Sequence, residues 1–233
     1  MDKNKEFINF YELPKTKKYL KKANNPHYDE TFIDLNSRVL ICGQSGSGKT
    51  NSLIQYIYKT PDTFAKIIVV YNQIIPLYEM LRDNCKRGIE FYTDLGKLGN
   101  IEKIRNGLEK EQEVLLIIDD WINEVHKYPN VGDIFTRGRK KGITTFFLTQ
   151  SFFKTPKLLR QQMNYLILLK MSSQKDINLI LSEFAGKDPE EIRAIYKDAT
   201  KDKLNFLKIN TSNADIKTKF SKNWTDFYEV SDD

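Results

Sequence analysis

Gly43-Gln44-Ser45-Gly46-Ser47-Gly48-Lys49-Thr50 fits the pattern G-x-x-x-x-G-K-[ST], a loop that cradles phosphate. An apolar run, Val39-Leu40-Ile41-Cys42, leads into it, and a helical pattern over 49–59 leads out. A strand in that place delivers the loop at its carboxyl end, and the glycines let backbone N–H groups turn toward phosphate oxygens. The helix that follows adds a field favourable to anions. Lys49 would then reach the β- and γ-phosphates of a nucleotide, and the Thr50 hydroxyl would ligate Mg²⁺, with Asn51 next along the helix.

Working outward, short apolar runs alternate with amphipathic stretches. Arg38–Cys42, Lys66–Tyr71, Val114–Ile118, Ile143–Thr149 and Tyr165–Lys170 read as buried strands, and Ile89–Tyr92 as a shorter one. Between them, 49–59 is closed by Thr60-Pro61, and a second helix starts at Pro76 and stops before Gly88. Ile101, Ile104 and Leu108 have helical spacing, and a helix around Thr155-Pro156 has a cap and a proline in its first turn. Two more helices are expected at about 174–185 and 189–199, the second opened by Asp188-Pro189-Glu190-Glu191. Leu204–Ile209 and Ile216–Val230 read as strand or extended chain. Strands alternating with helices predict an α/β fold: a mostly parallel central sheet flanked by helices on both faces. The expected organisation is an N-terminal extension over 1–36, a phosphate-binding core over 37–203, and a C-terminal tail over 204–233 packed on that core.

A chain of 233 residues suits one such domain, and 40% hydrophobic content is enough for a real core. The net charge of +6 favours polyanionic partners such as nucleic acid. The extension mixes Phe7, Phe10 and Tyr11 with Lys15, Lys17, Lys18, Lys21 and Lys22. It reads either as a solvated arm packing its aromatics on the domain or as a contact for nucleic acid or a neighbouring subunit. Two cysteines, Cys42 and Cys85, and two histidines exclude a disulfide framework and a Cys/His metal centre. The N-terminus lacks a signal-peptide pattern, and no apolar run approaches the roughly 20 residues of a membrane span, so the chain reads as intracellular.

Three further segments carry chemistry. Val114–Ile118 ends in Asp119-Asp120, the Walker B pattern. The apolar residues bury the strand, and the acids emerge at the carboxyl edge where ligands gather in open α/β sheets. Asp119 would hold Mg²⁺ through water, and Asp120 would orient and deprotonate an attacking water; the alternative is that the pair caps a helix starting at Trp121. Thr149-Gln150 ends the next strand, the sensor position of additional-strand P-loop ATPases, where Gln150 has both donor and acceptors with which to report phosphate loss. Arg137, Arg139, Lys140 and Lys141 precede that strand. They would neutralise a neighbour's ATP, touch a DNA backbone, or simply suit the end of a helix.

Gly43–Thr50, Asp119-Asp120, and Arg139-Lys140-Lys141-Gly142-Ile143 leading to Thr149-Gln150 fall in order, and the last piece resembles the R-x-x-G-I…T-Q segment of the FtsK/HerA superfamily of DNA-pumping ATPases. Ser45–Asn51, the short chain and the Asp-Asp ending look most like the DNA-packaging ATPases of poxviruses, other large DNA viruses and virophages. The resemblance, over about residues 30–185, implies a RecA-like additional-strand P-loop NTPase fold and an ATP-hydrolysing motor that threads double-stranded DNA into a viral capsid. It implies a ring of identical subunits, pentameric or hexameric, with a capsid protein as partner and ATP and Mg²⁺ as cofactors. Its setting would be the host cytoplasm or a viral factory, with association to the virion. By the same resemblance Lys49 and Thr50 bind phosphates and Mg²⁺, Asp119 binds Mg²⁺, Asp120 activates water and Gln150 senses the γ-phosphate. Arg139, or alternatively Arg137, acts in trans. Many relatives carry Glu where this chain has Asp120, so the shorter acid must sit closer or work through an extra water. Cellular relatives also carry domains for membrane anchoring or DNA guidance; none is expected here, so a viral capsid protein or other partner would have to place the chain. Two other readings share the P-loop: a small-molecule kinase, and a non-catalytic, nucleotide-dependent assembly factor. The absence of a guanine-reading N-K-x-D element favours ATP over GTP.

Overall fold

Continuous apolar runs become the central strands of a parallel sheet, because only a strand covered on both faces can bury every side chain. The computed structural model describes residues 9, 13–17, 24–85, 88–121, 123–184, 189–212 and 216–230. Its strands are β1 (Arg38–Cys42), β2 (Lys66–Tyr71), β3 (Gly88–Tyr92), β4 (Val114–Asp119), β5 (Ile143–Thr149), β6 (Tyr165–Leu168), β7 (Leu207–Asn210), β8 (Phe220–Lys222) and β9 (Asp226–Phe227). Its α-helices are α1 (Pro14–Lys17), α2 (Tyr28–Thr31), α3 (Lys49–Lys59), α4 (Pro76–Asn84), α5 (Ile101–Ile104), α6 (Pro129–Arg137), α7 (Lys157–Gln162), α8 (Gln174–Phe184) and α9 (Pro189–Ala199).

The nine strands form one sheet in the order β3-β2-β4-β5-β1-β6-β7-β8-β9. Pairing is parallel from β3 to β6 and antiparallel from β6 to β9. β5 therefore lies between β1 and β4, the additional-strand arrangement of a P-loop ATPase. Residues alternate between two cores. Leu40, Leu116 and Phe147 face the layer that includes α6, α8 and α9. Val39, Ile117 and Phe146 face the layer built on Leu53 and Tyr56 of α3 and Tyr78 of α4, with Phe206 and Trp224 from the C-terminal segment.

Lys208 of β7 sits in this C-terminal segment and is only 1% exposed. Its ammonium donates to Thr31 O at 2.7 Å and to Trp224 O, with the Phe32 and Phe227 rings each 5.4 Å away. It thus satisfies a carbonyl left open at the end of α2, where Phe32 takes a left-handed conformation.

Several local expectations are corrected. The helix expected to run from Ile101 to Leu108 stops at Ile104, because Gly107 takes φ +78° and turns the chain; Leu108 still packs on the core. β6 pairs only as far as Leu168, since beyond it the chain accompanies the phosphate loop rather than a strand. Pro156 occupies the cap of α7 instead of its first turn. Thr155 does not cap that helix: it is drawn inward, and its hydroxyl donates to Ser151 O at 2.8 Å. Among the described residues no helix starts at Trp121, so Asp119-Asp120 is not seen to cap one; the next α-helix described begins at Pro129. Of the expected N-terminal features, Lys15 and Lys17 lie in α1. Phe7, Phe10, Tyr11, Lys18, Lys21 and Lys22, and the Asp188 cap, lie outside the described residues.

Candidate functional site

The parallel registers bring three strand ends to one edge. Cys42 of β1 pairs with Thr149 of β5, and Leu148 of β5 pairs with Asp119 of β4. The loop 43–48, the Asp119-Asp120 pair and Gln150 thus emerge side by side. The loop is suspended between its neighbours: Gly43 N–H donates to Thr149 O at 3.2 Å and Gln44 N–H to Lys170 O at 3.1 Å. Ser45 and Gly46 face solvent, while Gln44, Lys49, Thr50 and Asn51 are half-buried.

Two glycines are required by this geometry. A Cβ at Gly43 would lie 2.5 Å from Ser47 Oγ and 2.9 Å from Leu169 Cβ. Gly48, with φ +108°, would bring a Cβ 2.6 Å from Leu204 Cδ2. Ser47 Oγ is buried with no hydrogen-bond partner among the described residues. Lys49 Nζ bends back onto the loop, donating to Gly43 O at 2.9 Å and Gln44 O at 3.1 Å. Burial pushes the Lys49 ammonium down, while the Asp119 and Asp120 carboxylates act to keep it charged. An orphaned hydroxyl, a cradle closed to Cβ atoms and an ammonium with only carbonyl partners all fit a phosphate chain.

The acids have different environments. Asp119 is half-buried, and its Oδ2 accepts from Tyr78 OH at 2.6 Å. Burial pushes its carboxyl up; the Tyr78 donor and Lys49 oppose that, and the Asp120 charge adds to it. The Tyr78 phenol is pushed far up by burial and by Asp119, so it remains a donor; the neighbouring Thr50 hydroxyl acts weakly in the opposite direction. The phenol thus lies beside Thr50 and Asp119, two hard oxygen donors of the kind Mg²⁺ takes. A divalent cation there would hold Asp119 ionised against its burial.

Asp120 follows with φ +61°, a left-handed conformation uncommon for a non-glycine residue. Its N–H donates to Leu148 O at 3.2 Å, which carries the β4–β5 ladder one residue further and turns the side chain to the open edge. Gln150 Nε2 donates to both Asp120 oxygens, at 3.2 and 3.3 Å.

Sequence reasoning missed two residues. Nothing in the local sequence singles out Tyr78 of α4, and only the fold reveals what its oxygen touches. Asp176 reads as an ordinary first-turn acid of α8, yet it is only 3% exposed and accepts from Ser151 Oγ at 3.0 Å and Phe153 N–H at 2.6 Å, just after Gln150.

The two arginines are not brought to this site. Arg137 ends α6, 3.8 Å from Asp133, and Arg139 lines a cleft with Arg105, Glu113 and Lys141. Both precede β5, so the length of that strand, about 20 Å, separates them from the loop of their own chain.

Residues 27–213 match the family described as Poxvirus A32 protein. No curated protein sequence matches the chain. Among solved structures, the genome packaging NTPase B204 from Sulfolobus turreted icosahedral virus 2 in complex with sulfate aligns with a TM-score of 0.62 at 15% identity, over 82% of this chain and 97% of that chain. The same NTPase in complex with ATP-gammaS aligns at 0.56 and 16%, over 81% and 97%. The cytoplasmic domain of the Thermomonospora curvata type VII secretion ATPase EccC aligns at 0.55 and 12%, over 85% of this chain and 26% of that chain. At such identities the likeness is one of fold alone. The family match spans well over half the chain, which therefore belongs to the poxvirus A32 protein family.

Proposed function

We propose that this chain is an ATP-hydrolysing motor that drives double-stranded DNA into a viral capsid. The observation that carries the reading is the Asp120–Gln150 pair, joined at 3.2 Å on the same sheet edge as the phosphate loop. Membership of the poxvirus A32 family and a fold shared with a genome packaging NTPase give the pair its context.

The residues divide the work as follows. Backbone N–H groups of 43–48 hold the phosphates, and Lys49 exchanges its two carbonyl partners for β- and γ-phosphate oxygens. Thr50 and Asp119 hold Mg²⁺, with Asp119 oriented by Tyr78. The cation, when bound, neutralises charge on the phosphate oxygens. Asp120 orients a water and takes its proton as the water oxygen attacks the γ-phosphorus, while the bond from that phosphorus to the bridging oxygen breaks and ADP leaves with the electron pair. Gln150 trades its bond to Asp120 for one to the γ-phosphate and so registers its loss.

Arg139, with Arg137 as the alternative, completes a neighbour's site, since about 20 Å of strand keeps either from its own. That requires a ring of subunits, pentameric or hexameric, and a capsid protein to seat it. The motor works inside the host cell, in the cytoplasm or a viral factory, and associates with the virion. No helix among the described residues is long and apolar enough to cross a membrane.

The test is ATP hydrolysis with and without double-stranded DNA, alongside the mass of the assembly. A closed ring whose hydrolysis rises with duplex DNA is expected. A monomer whose hydrolysis is indifferent to DNA contradicts the proposal.

A further inference from the structure

The turn that follows Gln150 has more structure than a connection needs. Phe153 at its tip is 48% exposed, and the Lys175 ammonium of α8 lies 3.6 Å above its ring. Lys154, the next residue, is exposed as well. Neither lysine has a carboxylate partner among the described residues. An exposed ring carrying one ammonium, with a second exposed lysine next to it in the chain, suits a polyanion that also offers apolar sugar edges.

The same turn is held rigidly. Asp176, buried beneath it, accepts from Ser151 Oγ at 3.0 and 3.2 Å and from Phe153 N–H at 2.6 Å. Ser151 Oγ in turn accepts from Lys154 N–H at 3.2 Å, and Thr155 Oγ1 donates to Ser151 O at 2.8 Å. Asp176 is itself tied through its N–H to Ser173 Oγ at 3.2 Å. A turn bound this way moves as a unit, and its first residue, Gln150, is the one that touches Asp120.

We propose that Phe153, Lys154 and Lys175 form a contact for the phosphate–sugar backbone of duplex DNA, mechanically joined through the Asp176-clamped turn to the Asp120–Gln150 pair. The two ammonium groups neutralise phosphates, and the Phe153 ring packs against sugar. The contact carries no base preference, as a motor that must pass any sequence requires. Force on the tip reaches Gln150 without crossing a flexible segment. The inference rests on the DNA-motor reading and adds where DNA touches and which hydrolytic residue feels it.

The experiment uses the full chain, a fluorescent duplex of fixed length and no nucleotide, with affinity measured across a salt series. Each phosphate contact contributes about 0.9 to the slope of log K against log salt. Lys154→Ala/Lys175→Ala is expected to lower the magnitude of that slope by about 1.8. Phe153→Ala is expected to weaken binding several-fold with the slope unchanged. Melting temperatures equal to wild type identify the variants as folded, and a variant that melts early is replaced by Lys154→Gln/Lys175→Gln, which removes the charge but keeps most of the side chain and a polar end. In a second readout, stimulation of ATP hydrolysis by duplex DNA is expected to fall in both variants.

If wild type binds duplex DNA and the lysine variant keeps its slope, the proposal fails while the motor reading stands. A lowered affinity with an unchanged slope in the lysine variant also overturns it, because the two lysines would then support DNA binding without contacting phosphate. If wild type neither binds nor responds to duplex DNA, the motor reading fails and takes this inference with it.

Discussion

Tyr78→Phe removes a single oxygen from the candidate site. The ring stays where it is, packed 5.7 Å from Tyr71 and 6.4 Å from Phe91, so the change costs little packing. What is lost is the 2.6 Å donor to Asp119 Oδ2. Tyr78 is 1% exposed, so no water readily takes the place of its hydroxyl. A hydrogen bond to a charged acceptor contributes about 1.5–3 kcal/mol. At about 1.4 kcal/mol per decade that is roughly 10- to 150-fold in kcat/KM for the Mg²⁺-loaded nucleotide. The loss should fall on steps that need the cation, because Tyr78 touches an expected Mg²⁺ donor, Asp119, and not the loop backbone. The assay is hydrolysis over a Mg²⁺ titration, with nucleotide affinity in chelator measured beside it. The expected result is a raised Mg²⁺ requirement and a 10- to 150-fold lower kcat/KM, with metal-free nucleotide affinity close to wild type. Wild-type hydrolysis across the whole Mg²⁺ range would refute the reasoning, because Asp119 would then need no orienting partner or would not be a metal donor.

Other substitutions separate the remaining roles. Lys49→Ala should weaken nucleotide binding, whereas Asp120→Asn should leave binding largely intact and stop turnover; normal hydrolysis by Asp120→Asn would show that another group is the base. Gly48→Ala places a Cβ 2.6 Å from Leu204 Cδ2 at φ +108°, so the loop must shift; backbone strain there costs about 1–3 kcal/mol. Its melting temperature should drop and nucleotide affinity should fall with it; a wild-type affinity measured by calorimetry would mean that the loop geometry tolerates the shift. Lys208 titrates in the other direction from a paired lysine: burial pushes its ammonium from 10.5 down to about 7. Between those values the unfolded chain binds more protons than the folded one, so this destabilising contribution is fully present below about pH 7 and is relieved as pH rises toward 10.5. Thermal stability should therefore rise over that window, less steeply in Lys208→Met, and identical pH profiles for the two proteins would sink the assignment.

The parallel core was legible in the sequence because strands buried on both faces read as near-continuous apolar runs, as Val114–Ile118 does. The phosphate loop was legible because its glycines and Lys49 act locally, through backbone that the same few residues supply. Asp120 and Gln150 could be named from their place at strand ends, yet their contact depends on register, one strand pairing with the next. Tyr78 and Asp176 could not be named at all. Each acts through a partner far along the chain, Asp119 and the 151–153 turn, and local patterning singles out neither. The left-handed φ of Asp120 is likewise hidden, since aspartate takes that conformation only where its surroundings require it. Leu108 misled in the opposite direction: its helical spacing was real, but Gly107 breaks the helix before it.

The central claim is that hydrolysis at the Asp120–Gln150 edge moves the chain along duplex DNA. Displacement of a labelled third strand from a DNA triplex by the assembled protein tests this most directly, because hydrolysis alone does not remove the strand. The account predicts displacement that requires ATP and is abolished in Asp120→Asn while that variant still binds nucleotide. Hydrolysis stimulated by duplex DNA with the third strand left in place, or displacement that persists in Asp120→Asn, would contradict it.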